Sequence, residues 1–195
     1  KEFIENASHE LQTPLAVFKS QLDMLLQQPR LTQQQMDIIQ SLYSISARMT
    51  RLNKNLLILA RIDNDQYGEM ENIDFIQTLY AQLAFLRERA ESNRIKVNVE
   101  INNNLHVRAN KILMESLIIN LIVNAIRHNI ENGMIDIQVS DHCFIVSNTG
   151  TSQSIDKEKV FRRFNRKSEE KKGNGLGLSI VHEICKMHGW TIHYD

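Results

Sequence analysis

Over residues 1–66 the apolar positions recur three and four apart, the spacing of a helical seam. Ile4, Leu11, Leu15, Phe18, Leu22 and Leu25 form the first run, with Ser8 in the one missing position. The pattern resumes at Ile38, Leu42, Ile45, Met49, Leu52, Leu56 and Leu59. Between the runs, Pro29 supplies a break and Thr32 a helix N-cap. The pattern predicts a helical hairpin. Two helices alone bury such a seam poorly, whereas two hairpins from two chains make a four-helix bundle, so a homodimer through residues 1–66 is expected.

Asp63-Asn64-Asp65-Gln66-Tyr67-Gly68 is a polar boundary, and a second domain is expected over 69–195. There Phe75, Leu79, Leu83 and Leu86 predict an amphipathic helix, and Ile95, Val97, Val99 and Ile101 alternate as a strand. Ile112, Leu113, Leu117, Ile118, Leu121, Ile122 and Ala125 mark a second helix face. Ile135, Ile137 and Val139 alternate again, and Phe144-Ile145-Val146 reads as a short buried strand. A helix near 156–164, a charged loop at 166–174, a helix from about 176 to 188 and a last strand at Thr191–Tyr194 complete the prediction. The short 141–143 connection implies an antiparallel hairpin, which favours a mixed α/β sandwich over a doubly wound parallel sheet. The fold class is therefore α+β.

Composition narrows the classes. The 195 residues include 23 Lys+Arg and 23 Asp+Glu, so no net charge draws the chain toward nucleic acid or an anionic membrane. No run of about 18 apolar residues exists to span a bilayer. Lacking Met and any signal-peptide pattern, Lys1-Glu2-Phe3-Ile4 reads as a start within a longer chain. Cys143 and Cys185 sit in apolar patterns without a CxxC and are expected as reduced core residues.

The first local oddity is Ser8-His9-Glu10-Leu11-Gln12-Thr13-Pro14-Leu15, a proline within a helix. Pro14 cannot donate to the Glu10 carbonyl, so a bend is expected there. His9 flanks the seam without belonging to it, which puts its imidazole at the bundle surface with Thr13 stacked four residues on. Glu10 beside it can raise the basicity of the ring, which suits nucleophilic work; an ordinary surface histidine is the plainer reading. Asn120 and Asn124 lie i,i+4 on one helix face beside an apolar stripe, where amides need partners. A hard Mg²⁺ ion would accept their oxygens, and local backbone capping would also satisfy them. Gly173-Asn174-Gly175-Leu176-Gly177-Leu178 precedes an apolar helix, so backbone N–H groups could approach phosphate, although a tight turn needs the same residues.

In combination these strings resemble bacterial two-component sensor histidine kinases, from His9 to about residue 192. His9-Glu10-Leu11-Gln12-Thr13-Pro14-Leu15 resembles the family's H box, and Asn120 through Asn129 its N box. Phe161-Arg162-Arg163-Phe164-Asn165-Arg166 resembles the F box, and Gly173–Leu178 the G2 box, which leaves 166–174 as the nucleotide lid. The resemblance implies a dimeric hairpin joined to a Bergerat-type ATP-binding domain, with ATP and Mg²⁺ as cofactors. His9 would accept the phosphoryl group with Glu10 assisting, and would pass it to an aspartate of a response regulator. Asn124 would ligate Mg²⁺ and Asn120 support it. Arg127 stands where a lysine usually contacts phosphate, and His128 is placed to touch phosphate or ribose. Phe164, Arg166, Gly173, Gly175, Leu176, Gly177 and Leu178 would frame the nucleotide. The regulator would dock below His9, near Ala16, Lys19, Ser20 and Asp23. Glu10-Leu11-Gln12-Thr13 also resembles the E-x-x-T signature of members that dephosphorylate their regulator, with Thr13 orienting a water. The parent protein would be a membrane sensor with this part in the cytoplasm.

One string departs from the pattern. Where the family carries D-x-G-x-G, this chain has Asn148-Thr149-Gly150-Thr151-Ser152. The Asn148 oxygen can still accept from the adenine amine, and its nitrogen could donate to the ring. The charge-assisted bond is lost, so weaker adenine binding is expected. An ATP hydrolase of the wider GHKL superfamily, and a dimeric scaffold that no longer binds ATP, are the alternatives left open by the sequence.

Overall fold

The computed structural model describes residues 2–64, 66–150, 159–164 and 175–194, with residues 2–9 described by their backbone. The chain divides into two compact units, Lys1–Gln66 and Tyr67–Asp195.

The first unit is a pair of packed helices, α1 (Glu2–Leu26) and α2 (Gln33–Ile62). Helix α1 continues through Pro14. Arg30 takes a left-handed φ of 70° in the connection, and Thr32 then starts α2 with a capping box. Its Oγ1 accepts from the Gln35 N–H at 3.2 Å, while Gln35 Oε1 accepts from the Thr32 N–H at 2.9 Å. Leu22 and Ile39 are buried, whereas Leu11, Phe18, Leu25, Ile38, Ile45 and Met49 are 41–52% exposed. Over its first part the shielded row of α2 is Ile39, Ser46 and Asn53, one residue past Ile38, Ile45 and Leu52 of the expected seam, while towards its end Leu57, Ile58, Leu59, Ala60 and Ile62 are buried, Leu59 as expected. Two members of that row are polar, so a search for apolar periodicity passes over it.

The second unit follows the expected class, with helices packed on a sheet. Its elements are β1 (Glu71–Asp74), α3 (Phe75–Ser92), β2 (Lys96–Ile101), β3 (His106–Ala109), α4 (Lys111–Arg127), β4 (Met134–Val139), β5 (Phe144–Asn148) and α5 (Gly177–His188). Strands β2, β4 and β5 form one sheet: β2 runs parallel to β4, and β5 antiparallel to it with Ile135 opposite Asn148. Strands β1 and β3 pair antiparallel as a separate ribbon. The alternation of β4 buries Ile135, Ile137 and Val139, and the core of the unit also takes Leu79 and Leu83 of α3, Leu113, Ile118 and Ile122 of α4, and Ile180 and Ile184 of α5, with α4 packed on β5 and on α5. Asp74 and Asn110 cap α3 and α4 by accepting from the N–H groups of Gln77 and Leu113.

Three expectations fail. Residues 191–194 form no strand: Gly189 turns left-handed at φ 70°, the Trp190 N–H donates to the Cys185 carbonyl, and Trp190 stacks on His188 at 4.5 Å. The chain is thereby folded back over the end of α5. Of the helix expected near 156–164, residues 159–164 form turns and the rest lies outside the described residues. Cys143 is exposed in the β4–β5 turn, its Sγ 3.0 Å from Ser140 Oγ, because the turn lifts it out of the apolar run. Cys185 is buried as expected, and desolvation raises its thiol to about 11.

Candidate functional site

Helix α4 presents Ser116, Asn120 and Asn124 at four-residue intervals, one above the other. Asn120 Nδ2 donates to the Ser116 carbonyl at 2.8 Å and lies 3.2 Å from Ser116 Oγ. With the amide nitrogen so engaged, Oδ1 faces α5: a Cβ added to Gly177 would come 3.1 Å from it. Glycine at 177 thus lets α5 start against Asn120 without displacing its side chain. Asn124, half-buried one turn further on, makes no hydrogen bond through its carboxamide among the described residues.

The N-terminus of α5 has no side-chain cap. Ser179 Oγ instead donates back to the Leu176 carbonyl at 2.9 Å, and among the described residues no side chain caps the first-turn N–H groups. Leu176 is fully buried, so its side chain serves the core and only its backbone borders the site, while Gly177 and Leu178 are half-buried. Gly175 is left-handed at φ 65°. Its carbonyl accepts from the Phe164 N–H at 2.8 Å, which brings together the two ends of residues 165–174. Phe164, also left-handed at φ 61°, is 59% exposed. Phe161 stacks on His182 of α5 at 5.6 Å. Arg166, Gly173 and the remainder of the expected lid lie outside the described residues.

The end of β5 supplies Asn148 and Gly150. Asn148 Nδ2 donates to the Thr149 carbonyl at 2.7 Å, which leaves Oδ1 as its outward acceptor. A Cβ at Gly150 would lie 3.5 Å from the His128 carbonyl oxygen and 3.7 Å from Asn148 Nδ2, ordinary separations. Among the described residues nothing in the packing requires glycine there. Arg127 ends α4 and lines a depression of about 670 Å³ with Arg89, Arg94, Asn129 and Glu131. In that depression Arg94 pairs with Glu131 at 2.8 Å. His128 is the C-cap of α4.

His9, Glu10 and Thr13 lie on α1 in the first unit, where Glu10 and Thr13 are exposed and His9 and Thr13 share a helix face. Sequence reasoning missed Ser116, the partner of Asn120, and Gly133, which packs against Thr149, and it gave no role of its own to Asn129, whose Oδ1 accepts from Thr149 Oγ1. The available signal was Gly133, an isolated glycine immediately before a strand.

Two family models match the chain. The His Kinase A (phospho-acceptor) domain covers residues 1–65, and the Histidine kinase-, DNA gyrase B-, and HSP90-like ATPase covers residues 109–195. Fold and site thus define a class: a phospho-acceptor hairpin joined to an ATPase-type α/β unit. The chain belongs to the sensor histidine kinase family. It is 30% identical over 98% of its length to the heme sensor protein HssS of Staphylococcus epidermidis, and 32% identical over 99% to the sensor histidine kinase HprS of Escherichia coli. It spans 43% and 44% of those two proteins, less than half of either. Among solved structures, the nucleotide-free catalytic domain of histidine kinase ThkA superposes with a TM-score of 0.58 at 30% identity, over 64% of this chain and 87% of that one.

Proposed function

We propose that this chain is the catalytic core of a sensor histidine kinase that phosphorylates His9 from ATP and passes the phosphoryl group to an aspartate of a response regulator. One observation carries the reading: a phospho-acceptor hairpin bearing His9 is joined to an ATPase unit in which Asn124, the uncapped start of α5 and the Asn148 carboxamide all offer unengaged polar groups. Residues 1–66 serve as the dimerisation and phosphotransfer part and residues 69–195 bind the nucleotide.

The residues present fit ATP and Mg²⁺. The Asn148 oxygen accepts from the adenine amine, and Gly150 leaves open the space beside it. The N–H groups at the start of α5 and the side chains of Arg127 and His128 face the phosphates. Asn124 offers Mg²⁺ a hard amide oxygen, and Asn120, its own amide nitrogen held by the Ser116 carbonyl, supports it from one turn earlier. Mg²⁺, when bound, neutralises charge on the phosphate oxygens. Phe164, Gly175 and the backbone around Leu176 and Leu178 frame the entrance; Arg166 and Gly173, which the family resemblance adds to the nucleotide contacts, lie outside the described residues. One ring nitrogen of His9 attacks the γ-phosphorus, ADP leaves, and Glu10 takes the proton from the other ring nitrogen. Positioning and charge neutralisation supply most of the rate.

The exposed row of Leu11, Phe18, Ile38 and Ile45 supports a second hairpin closing a four-helix bundle. The regulator docks on α1 below His9. Thr13 orients a water for dephosphorylation of the regulator, and full phosphatase activity in Thr13→Ala would remove that role. In this reading the parent is a membrane sensor with this part in the cytoplasm, a reading supported by its similarity to sensor proteins more than twice its length. Among the described residues no helix is long and apolar enough to cross a membrane.

The deciding experiment compares this chain with His9→Gln after incubation with γ-labelled ATP and Mg²⁺. The expected label is acid-labile, base-stable and absent from the variant. Release of free phosphate without a phosphoprotein would instead make the chain an ATP hydrolase.

A further inference from the structure

A carboxylate at the adenine-reading position presents two equivalent oxygens, whereas an asparagine there presents an oxygen on one side and an NH₂ on the other. The orientation of the Asn148 amide therefore decides which purines it accepts. With Oδ1 outward it receives the 6-amino group of adenine. Turned over, it would donate to a 6-oxo group.

In this chain the orientation is set by a chain of hydrogen bonds that begins just beyond α4. Asn129 is held at both ends of its carboxamide: Oδ1 accepts from the Ile130 N–H at 2.9 Å, and Nδ2 donates to the Met134 carbonyl at 3.0 Å. The Thr149 hydroxyl donates its single proton to Asn129 Oδ1 and accepts from the Met134 N–H at 2.8 Å. The Thr149 N–H donates to the Met134 carbonyl at 3.0 Å. These bonds anchor the Thr149 side chain and N–H, and the carbonyl on the other side of the same residue receives Asn148 Nδ2 at 2.7 Å. Gly133 makes room for the arrangement, because a Cβ there would overlap both Asn129 Oδ1 and Thr149 Oγ1.

We infer that Asn129 and Thr149 are positioning residues that set base selectivity, holding the Asn148 carboxamide with its oxygen outward and so favouring 6-aminopurine over 6-oxopurine nucleotides. This rests on the reading that Asn148 meets the base. Neither residue touches the nucleotide in this account; each acts through Asn148.

The test is calorimetric titration of the whole chain with ATP and with inosine triphosphate, in Mg²⁺, for the wild type, Thr149→Val, Thr149→Ser, Asn129→Ala and Asn148→Ala. The wild type is expected to prefer ATP by roughly tenfold, the scale of one well-placed hydrogen bond. Thr149→Val keeps the side-chain shape without the hydroxyl and should lower that preference to about threefold or less, as should Asn129→Ala, while Thr149→Ser should retain it. A variant that loses affinity for both nucleotides equally, with the ratio intact, would assign a merely structural role and overturn the inference. A ratio unchanged in Asn148→Ala would remove the underlying reading of Asn148 itself, an outcome separable because it does not involve Thr149. Should Thr149→Val fail to fold, Asn129→Ala reads the same ratio.

Discussion

At the scale of single residues, glycine and cysteine positions make the sharpest claims. An alanine at 177 favours helix by about 1 kcal/mol, and this opposes an overpacking cost of similar size where its Cβ meets Asn120 Oδ1 at 3.1 Å. The fold should survive, with a melting temperature within a few degrees of the wild type, but Asn120 is displaced. ATP affinity is expected to fall by about tenfold, the equivalent of ~1.4 kcal/mol. Gly150→Ala meets no such neighbour among the described residues, so its melting temperature should match the wild type while nucleotide binding weakens. A thermal melt and a titration on each variant check both statements. The two thiols differ as sharply. Under native conditions a maleimide should modify Cys143 alone, with Cys185 reacting only after unfolding. Because burial raises the Cys185 thiol to about 11 from its ordinary 9.0, the unfolded chain ionises first as pH climbs. The stability contributed by the neutral thiol is present below pH 9 and is lost between about 9 and 11. Urea unfolding across that range should show a steeper decline for the wild type than for Cys185→Ala, and equal slopes would remove the effect.

At the scale of elements, periodicity read the structure where burial is one-sided. The α3 and α4 faces, the alternation of β4 and the antiparallel β4–β5 pair were all legible because each buries one face and leaves the other wet. Strands β1 and β3 were not. Glu71-Asn72-Ile73-Asp74 and His106-Val107-Arg108-Ala109 each bury one residue deeply, too few to make a period. The apolar run ending in Tyr194 has a strand's composition, but Gly189 and the Trp190–His188 stack fix it across a helix end. Of the candidate site, the asparagines, glycines and His9 were visible as spaced motifs. The hydrogen bonds that orient them were not, since Ser116 and Asn129 become partners only once the helix and the β4 turn are built. Helix starts, by contrast, are local. Thr32→Ala should lose the capping box at the start of α2 and destabilise the hairpin by about 1 kcal/mol, measurable by denaturant unfolding.

At the scale of the whole molecule, the hairpin presents an unfinished apolar surface. Leu11, Phe18, Ile38 and Ile45 are large and solvent-facing in a single chain, an arrangement that a second hairpin would complete. Ile45→Glu should therefore shift the protein from dimer to monomer in sedimentation, while ATP affinity, which resides in the other unit, stays as in the wild type. A monomeric wild type would refute the bundle.

The bond between the Phe164 N–H and the Gly175 carbonyl carries a consequence for how the chain tolerates change. Since residues 164 and 175 already meet, the ten positions between them begin and end at one point of the scaffold. Lengthening such a segment adds only about 0.6 kcal/mol for each doubling, the entropy of closing a larger loop. The Phe164–Gly175 bond, rather than the residues between, thus fixes where the segment joins the scaffold, so a change of length within 165–174 is expected to leave both ends of the join where they are.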